Sequence, residues 1–335
     1  MARLDDFLAI ERELAEANRA RLASHYDQAF EALSRDQVAI AGVDGWQFIA
    51  NGSNAWEQQY LGVLRLSEAG LQDWQQTFAR RRLAADAIGA RFAHLVIPEK
   101  QAILPDARWP AGSKVVAGQR PVQQLQRSVG DGLVYPADQL QAESWRAELC
   151  WRGNSHWCAS GAWFGFCALA QAVWPGREFD FARVPLARAW WRHDLLLKYT
   201  DAVCHESVVS LPRRARTVYD NRLLATTGGH VGNHYVLQNE AAPYQEAVVV
   251  FGDSYAYDCG FSDLLAAFFG QVHFVWQTRI DFRYCRSVNA RLVLVQSAER
   301  YLSRPHPMDL LPESLLPDAL LPDNLPSEPA VATTA

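Results

Sequence analysis

Three patterns that would assign a protein to a class at once are not recognisable in the sequence: a basic block, a long apolar run and, in residues 1–22, the basic and then apolar pattern typical of a secretory leader. Its net charge is −5 over 335 residues, and the short arginine runs at 80–82 and 213–216 are interrupted or flanked by apolar residues. No nucleic-acid-binding surface is therefore predicted. No stretch reaches the roughly 20 apolar residues that a membrane span requires. Residues 1–22 carry five acidic residues in place of a basic start, so we expect a cytoplasmic protein.

Cysteine pairs with redox or metal-binding spacing are also missing. The six cysteines lie apart in apolar surroundings, without a Cys-x-x-Cys pair, which favours free thiols in a reducing compartment. Two groups, His193 with Cys204 and His205, and His230 with His234, have spacings that are weak matches to zinc sites. We therefore expect neither a metal nor another cofactor.

What the chain does have is the composition of a large globular α/β domain. Hydrophobic residues make up 49% and charged residues 21%, enough to bury a sizeable core. The runs AVVVF at 247–251 and LVLV at 292–295 have no polar face, which is typical of parallel strands covered on both sides. The predicted core strands are Ala93–Ile97, Gly132–Tyr135, Ala247–Phe251, Val272–Trp276 and Leu292–Val295. The predicted helices are Ser67–Gly89, Ala159–Val173 and Phe261–Phe269.

The two ends of the chain differ from this middle. Residues 1–40 place apolar residues at helical intervals between charges, so an N-terminal amphipathic helical segment is predicted there, as a packing or partner surface. From Pro305 onward the units LLPES, LLPDA and LLPDN contain proline too densely for a helix. Residues 305–335 are therefore expected to be a Pro/Leu-rich disordered tail whose leucines offer a second surface to a protein partner. Residues 41–304 remain as one domain.

Ser254 is the candidate nucleophile. The segment VVVFGDSY at 248–255 runs from an apolar strand through Gly252 and Asp253 into a helical pattern. This places Ser254 on a strand-to-helix turn, where free N–H groups stabilise the oxyanion of an acyl-transfer intermediate. The position also suits an ordinary helix N-cap. Gly252, Asp253 and Tyr255 are the residues expected at the oxyanion or beside the site.

A serine nucleophile needs a base, and one of the nine histidines occupies a matching position. In LCWRGNSHWCASGA, residues 149–162, a short strand is predicted to end at Trp151, and His156 follows a polar turn before a helix. Loops at the carboxyl ends of parallel strands gather along one edge, so His156 and Ser254 can meet. The alternative is a structural histidine that caps the helix.

At these two segments the sequence resembles the SGNH-hydrolase-like domain of the alginate O-acetylation proteins, bacterial exopolysaccharide acetyltransferases related to GDSL esterases. The family motif Asp-x-His-Trp is matched by Asn154-Ser155-His156-Trp157, and Gly-x-Ser by Gly252-Asp253-Ser254. Three more stretches match in the same order: DGWQFIANGSN at 44–54, LVIPEKQAILPD at 95–106 and ARLVLVQSAERYL at 290–302. The resemblance implies a three-layer, flavodoxin-like SGNH-hydrolase fold with a mainly parallel central sheet, and it places Trp157 next to the site.

The resemblance further implies a serine-dependent O-acyltransferase or esterase acting on acyl, chiefly acetyl, esters of a carbohydrate or glycan precursor, with an acyl donor as the other substrate. Ser254 would take the acyl group and His156 would move the proton. Asn154 stands where the family has an aspartate, and it lacks the charge. Two alternatives follow: a catalytically weakened carbohydrate-binding or scaffold protein with the same fold, and an acyl thioesterase or lipase-type hydrolase, which suits a cytoplasmic location.

Overall fold

The computed structural model describes residues 2–26, 32–52, 54–104, 119–200, 205–221, 223–312 and 315. In these residues the chain forms eleven strands and twelve α-helices. The strands are β1 (Ala39–Ala41), β2 (Gln47–Ile49), β3 (Arg91–Ile97), β4 (Leu133–Val134), β5 (Ala187–Arg192), β6 (His205–Ser210), β7 (Arg216–Asp220), β8 (His234–Gln238), β9 (Tyr244–Gly252), β10 (Phe269–Trp276) and β11 (Ala290–Ala298). The helices are α1 (Ala2–Arg21), α2 (Ala23–Tyr26), α3 (Trp56–Tyr60), α4 (Glu68–Ala87), α5 (Lys100–Ile103), α6 (Pro121–Gln126), α7 (Ala137–Glu143), α8 (Ala159–Val173), α9 (Leu223–Thr227), α10 (Ser254–Tyr257), α11 (Phe261–Ala266) and α12 (Phe282–Ser287).

A seven-stranded sheet forms the centre of the described part of the chain. Its strand order is β4-β3-β11-β9-β10-β8-β7. The first five strands run parallel to one another; β8 then pairs with β10 in antiparallel orientation, and β7 pairs with β8 in antiparallel orientation. A mixed α/β fold with a mainly parallel central sheet is therefore confirmed. All five predicted core strands lie in this sheet, whereas the sequence did not indicate β7 and β8.

Both faces of the sheet are buried, which explains the continuously apolar runs. In β9, Val248 and Val250 belong to one apolar cluster together with residues of α8. Val249 and Phe251 belong to a second cluster together with residues of α12. Alternate side chains of one strand thus enter different cores, as in a parallel sheet with helices on both sides. Burying a side chain such as valine contributes about 1.5–3 kcal/mol.

Helix α8 begins and ends at the predicted residues and lies very close to the loop before it. A Cβ at Gly165 would lie 2.6 Å from Trp157 Cζ3, and one at Gly161 would lie 2.1 Å from the Leu149 carbonyl oxygen. Side chains at these two positions would push the helix and the loop apart. The glycines therefore allow α8 to pack directly under the loop that carries His156.

The N-terminal helix α1 packs against the small antiparallel sheet formed by β5 and β6. Phe7 and Leu8 are buried on its inner side. Asn18 Nδ2 donates to the Ser207 carbonyl at 2.7 Å, and Asn18 Oδ1 accepts from the Ser207 N–H at 3.1 Å. None of the described helices combines the length and the apolar character needed to cross a bilayer.

The described start of the predicted tail, residues 305–312, packs against α4. Arg81 is fully buried and forms a two-pronged ion pair with Asp309, at 2.8 and 3.0 Å. The ring of His306 lies 4.8 Å from that of Trp74. These contacts attach 305–312 to the central part of the chain. The rest of the predicted tail, apart from Leu315, lies outside the described residues.

Candidate active site

Ser254 directly follows the central strand β9. The strand ends at Gly252, and Ser254 is the first residue of α10. Asp253 rather than Ser254 is the N-cap of this helix, because its Oδ1 accepts from the Tyr255 N–H at 3.0 Å. The capping role is therefore taken by the neighbouring residue, and the Ser254 hydroxyl is left for another contact.

Asp253 and Gly252 hold this turn against strand β11. Asp253 Oδ1 accepts from Gln296 Nε2 at 2.9 Å, and its Oδ2 accepts from the Ala298 N–H at 2.8 Å. A Cβ at Gly252 would lie only 3.0 Å from Gln296 Oε1, so glycine permits the close approach. A carboxylate only accepts hydrogen bonds. Asp253 therefore positions Ser254 and does not donate to an oxyanion.

His156 connects Ser254 to Asn154. Its Nε2 lies 2.7 Å from Ser254 Oγ, and its Nδ1 lies 2.7 Å from Asn154 Oδ1. These are the distances expected between a nucleophile, its base and the group that orients the base. The structure thus brings the three main residues selected from the sequence into one chain of contacts at the carboxyl edge of the sheet.

The hydrogen bonds of Asn154 determine which nitrogen of His156 carries the proton. Asn154 Nδ2 donates to the Arg192 carbonyl at 3.1 Å, and Asn154 Oδ1 accepts from the His156 backbone N–H at 3.0 Å. Because a carbonyl only accepts and a backbone N–H only donates, the amide oxygen must face Nδ1. The neutral ring is therefore protonated on Nδ1 and presents an unprotonated Nε2 to the serine hydroxyl.

The loop before His156 differs from the prediction. A sheet strand ending at Trp151 is wrong: within the described residues this segment makes only an isolated bridge, from Cys150 to Trp157. Leu149 has a φ of 60°, in the left-handed region that interrupts an extended run. The apolar residues here are buried because the loop folds back on itself, so their hydrophobicity does not indicate a strand.

Lys100 holds this loop from the end of β3, a role that the sequence did not reveal. Its buried Nζ donates to the carbonyls of Trp151 and Arg152, each at 3.0 Å, and to the Gln47 carbonyl. Burial lowers the pKa of Lys100 to about 8. A buried amine with three carbonyl partners fixes the backbone just before Asn154 and thereby the position of His156.

Tyr255 and Trp157, both predicted beside the site, contact the loop that carries His156 and help to hold it in place. The Tyr255 hydroxyl donates to the Ser155 carbonyl at 2.6 Å, and its ring lies 4.7 Å from that of His156. Trp157 is 2% exposed, and its ring lies edge-on to Tyr255 at 5.6 Å. Trp157 therefore has no open face for a substrate and acts by packing, whereas Tyr255 acts by packing and by its hydrogen bond to the Ser155 carbonyl.

Burial and neighbouring charges together set the protonation of His156. Burial has the largest effect and lowers its pKa below the ordinary value of 6.5. Asp194 and Asp253 raise that pKa, whereas Arg300 and Lys100 lower it. The net lowering favours the neutral imidazole near pH 7, which is the form that can accept a proton.

Asp194 is an acidic residue near the site that sequence reasoning missed. It follows β5, and its Oδ2 lies 4.0 Å from His156 Nδ1. Its carboxylate accepts from the Ser155 N–H at 2.7 Å and from the Ser155 hydroxyl at 2.5 Å. The proximity arises from the packing of two distant loops, so no motif or spacing points to it.

Aromatic rings lie next to the turn that carries Ser254. Trp276 ends β10 and is the register partner of Gly252. Tyr257, one helical turn after Ser254 and on the same helix face, has its ring 5.2 Å from that of Trp276. His230 stacks on Trp276 at 4.4 Å. Tyr257 and Trp276 are half-buried and His230 is exposed. We call these three residues the aromatic platform.

The histidines considered for a metal site make other contacts. His193 is buried and lies 2.9 Å from Glu206 Oε2, and His234 Nε2 lies 3.0 Å from the Tyr284 hydroxyl. Cys204 lies outside the described residues. Across the part of the chain that the structure describes, no three histidine, cysteine or acidic side chains are arranged to hold a metal ion.

Solved structures with the same fold extend over most of the chain. PatB1 from Bacillus cereus, solved with a sulfonyl adduct, has a TM-score of 0.55 and 15% identity, over 80% of this chain and 96% of its own. The O-acetyltransferase domain of Pseudomonas putida AlgJ has a TM-score of 0.50 and 13% identity, over 80% and 94%. A DHHW family protein from Eubacterium siraeum has a TM-score of 0.50 and 11% identity, over 80% and 96%. No protein-family model and no curated protein sequence matches the chain.

Proposed function

We propose that this chain is an SGNH-type enzyme with a three-layer fold: a serine-dependent O-acyltransferase or esterase that moves acyl, chiefly acetyl, groups on a carbohydrate. The observation that carries the proposal is the contact from Asn154 through His156 to Ser254, 2.7 Å at each step. One protein that shares the fold is an O-acetyltransferase domain, which supports acyl transfer as the reaction class.

The proposed reaction proceeds in two half-reactions. Ser254 Oγ attacks the acyl carbonyl carbon while His156 Nε2 accepts the hydroxyl proton. The oxyanion accepts a hydrogen bond from the first-turn N–H of Ser254. When the intermediate collapses, the leaving group takes the proton from His156 and the acyl group stays on Ser254. A sugar hydroxyl or water then attacks this ester, with His156 again accepting the proton and returning it to Ser254.

The aromatic platform supports a carbohydrate as the acceptor. The C–H face of a pyranose ring is apolar and packs on aromatic rings, while its hydroxyl groups remain at the edge for polar contacts. Tyr257 lies one helical turn from Ser254, and Trp276 lies on the neighbouring strand. A sugar on these rings would therefore lie at the same edge of the sheet as Ser254.

A fluorophosphonate probe tests the dependence on Ser254. Such probes react with an activated serine, so intact-mass analysis should show one adduct on the wild type and none on Ser254→Ala. Ser287→Ala removes an exposed hydroxyl at the end of α12 and should label like the wild type. Absent labelling of the wild type, or equal labelling of Ser254→Ala, would overturn the proposal. A sulfonyl fluoride is a second probe, because the solved PatB1 carries a sulfonyl adduct.

The acceptor is tested with an aryl acetate as donor. Turnover in the presence of oligosaccharides should give acetylated sugar, detected by mass spectrometry, if the enzyme is a transferase. Acetate alone, at a rate that oligosaccharides do not change, would identify an esterase. Both outcomes should disappear in Ser254→Ala.

A further inference from the structure

Asn154 orients His156 but carries no charge, so among the described residues His156 has no charged partner at hydrogen-bond distance. The carboxylate of Asp194 lies slightly further away, with Oδ2 at 4.0 Å from His156 Nδ1. We propose that Asp194 supplies the negative charge that Asn154 lacks and acts on His156 through the hydroxyl of Ser155. This inference rests on the serine mechanism proposed above. The two tasks of a triad aspartate, orientation and charge, are then divided between two residues on different loops.

Ser155 connects Asp194 to the imidazole. Its hydroxyl lies 2.5 Å from Asp194 Oδ2 and 3.2 Å from His156 Nδ1. Its backbone N–H donates to the other carboxylate oxygen of Asp194 at 2.7 Å. Two donors from one residue therefore hold the carboxylate, with Oδ2 at 4.0 Å from Nδ1. An opposite charge within about 4–6 Å favours the charged form of an ionisable group.

The same segment also holds Asn154. The carbonyl that accepts from Asn154 Nδ2 belongs to Arg192, the last residue of β5, and Asp194 follows two residues later. The end of β5 thus sets the orientation of the amide and the position of the carboxylate together. A shift of this segment would disturb both groups that act on His156, which argues for a shared function.

The charge matters most when His156 is protonated. His156 becomes imidazolium only as it takes the proton from Ser254, so attraction to Asp194 stabilises the transition state more than the resting enzyme. Partial burial opposes ionisation of Asp194, but the positive charge of His156 and the two Ser155 hydrogen bonds outweigh it and lower its pKa. Its side chain is 44% exposed, so solvent reduces the effect relative to that of a directly bonded aspartate.

Several charged or titratable groups face His156, and the test must consider each of them. These groups come from four segments besides its own loop: Asp194 after β5, Asp253 and Tyr255 at the start of α10, Arg300 after β11, and Lys100 at the start of α5. Of these, Asp194 has the largest effect on the His156 pKa, and that effect is upward. Substituting Asp194 alone therefore isolates one contribution while the others remain.

Asp194→Asn removes the charge and keeps an oxygen that can accept from the Ser155 N–H. Activity requires neutral His156, so kcat/KM for an aryl acetate rises with pH through the His156 pKa. Loss of an anion that favours imidazolium should move this acidic limb to lower pH by roughly half a unit to one unit. The plateau of kcat/KM should fall by about tenfold. Asp73→Asn, at an exposed position of α4, changes the net charge equally and should alter neither value.

Two further variants test the contact between Asp194 and His156 independently. Ser155→Ala removes the connecting hydroxyl but keeps the backbone contact, so its effects should be smaller and in the same direction. The ring of His156 can also be titrated by NMR in Ser254→Ala, which needs no turnover, and adding Asp194→Asn there should lower the His156 pKa. An unchanged pKa would overturn the role of Asp194 even in an active enzyme. A lowered pKa without Ser254-dependent turnover in the wild type would support the charge contact and overturn the serine mechanism.

Discussion

At the scale of single residues, Asn154 differs from an aspartate in more than its charge. Its Nδ2 donates to the Arg192 carbonyl at 3.1 Å, and an aspartate would place a second acceptor oxygen there. Two oxygens that only accept would then face each other, which leaves both without a partner. The surroundings of residue 154 are therefore suited to an amide.

We therefore expect Asn154→Asp to leave kcat/KM unchanged or to lower it, despite the added charge. Repulsion from the Arg192 carbonyl opposes the benefit, and Asp194 already provides a negative charge near Nδ1. The measurement is kcat/KM on one aryl acetate for wild type, Asn154→Asp and Ser254→Ala, with thermal melting as a check of folding. A rise of about tenfold, equivalent to about 1.4 kcal/mol, would contradict this expectation and indicate that the missing charge limits the rate.

Some residues of the candidate site could be predicted from the sequence and others could not. The two groups differ in whether a local motif or a contact between distant loops places them at the site. Ser254, His156 and Asn154 lie in short motifs next to predicted helix starts, so local pattern was enough to select them. Lys100 and Asp194 act through contacts between loops that are far apart in the chain. Such contacts depend on how the loops pack, and no local pattern encodes that packing.

At the scale of elements, the aromatic platform joins the end of β10 to α10. Trp276→Ala should raise KM for an oligosaccharide acceptor by about tenfold, because a stacking surface for the sugar is lost. Hydrolysis of a small aryl acetate, which does not need the platform, should change little. Trp145 is 78% exposed elsewhere on the surface, and Trp145→Ala is the matched control. Equal effects on both substrates, or none on either, would argue against the platform as the acceptor site.

The elements that could be predicted are those with a strong apolar signal. Strands β9 and β11 are buried on both faces, and their unbroken hydrophobic runs identified them. Strand β7 is exposed along its whole length, so it has no apolar pattern to distinguish it from a loop. The segment before His156 shows the opposite case, because a strand was predicted there and the structure has a loop. Leu149 and Cys150 are as apolar as strand residues, but they are buried because the loop folds back on itself.

At the scale of the whole molecule, residues 305–312 are joined to α4 by the buried pair of Arg81 and Asp309. Deleting residues 305–335 would leave a buried guanidinium without its carboxylate, a loss worth about 3–5 kcal/mol. The melting temperature should then fall by about 5 °C or more. Deleting 316–335 removes none of the described contacts and serves as the control. Equal melting temperatures for the two truncations would show that the ion pair contributes little.

The candidate site lies at the carboxyl edge of the sheet, and its residues come from several helices, strands and loops. Ser254 follows β9, Lys100 follows β3, and Asp253 is bonded to residues of β11. Parallel strands bring their carboxyl ends together, so the mainly parallel pattern was sufficient to predict where the site lies. The strand order that makes β9 the neighbour of β11 and β10 was not predictable, because the apolar runs carry no information on pairing.

The Ser155 N–H that donates to Asp194 also belongs to the backbone nitrogen that would attack Asn154 during deamidation. An asparagine loses ammonia when the backbone nitrogen of the next residue attacks its side-chain carbonyl, and the cyclic imide then opens to aspartate or isoaspartate. Here that nitrogen is held by Asp194 at 2.7 Å, and the departing amide is held by the Arg192 carbonyl at 3.1 Å. The first bond holds the nitrogen toward Asp194 and the second holds the side-chain amide in place, so both oppose the rearrangement in which the nitrogen bonds to the side-chain carbonyl carbon and ammonia leaves. Deamidation of Asn154 is therefore expected to be slower in the folded protein than in the unfolded chain.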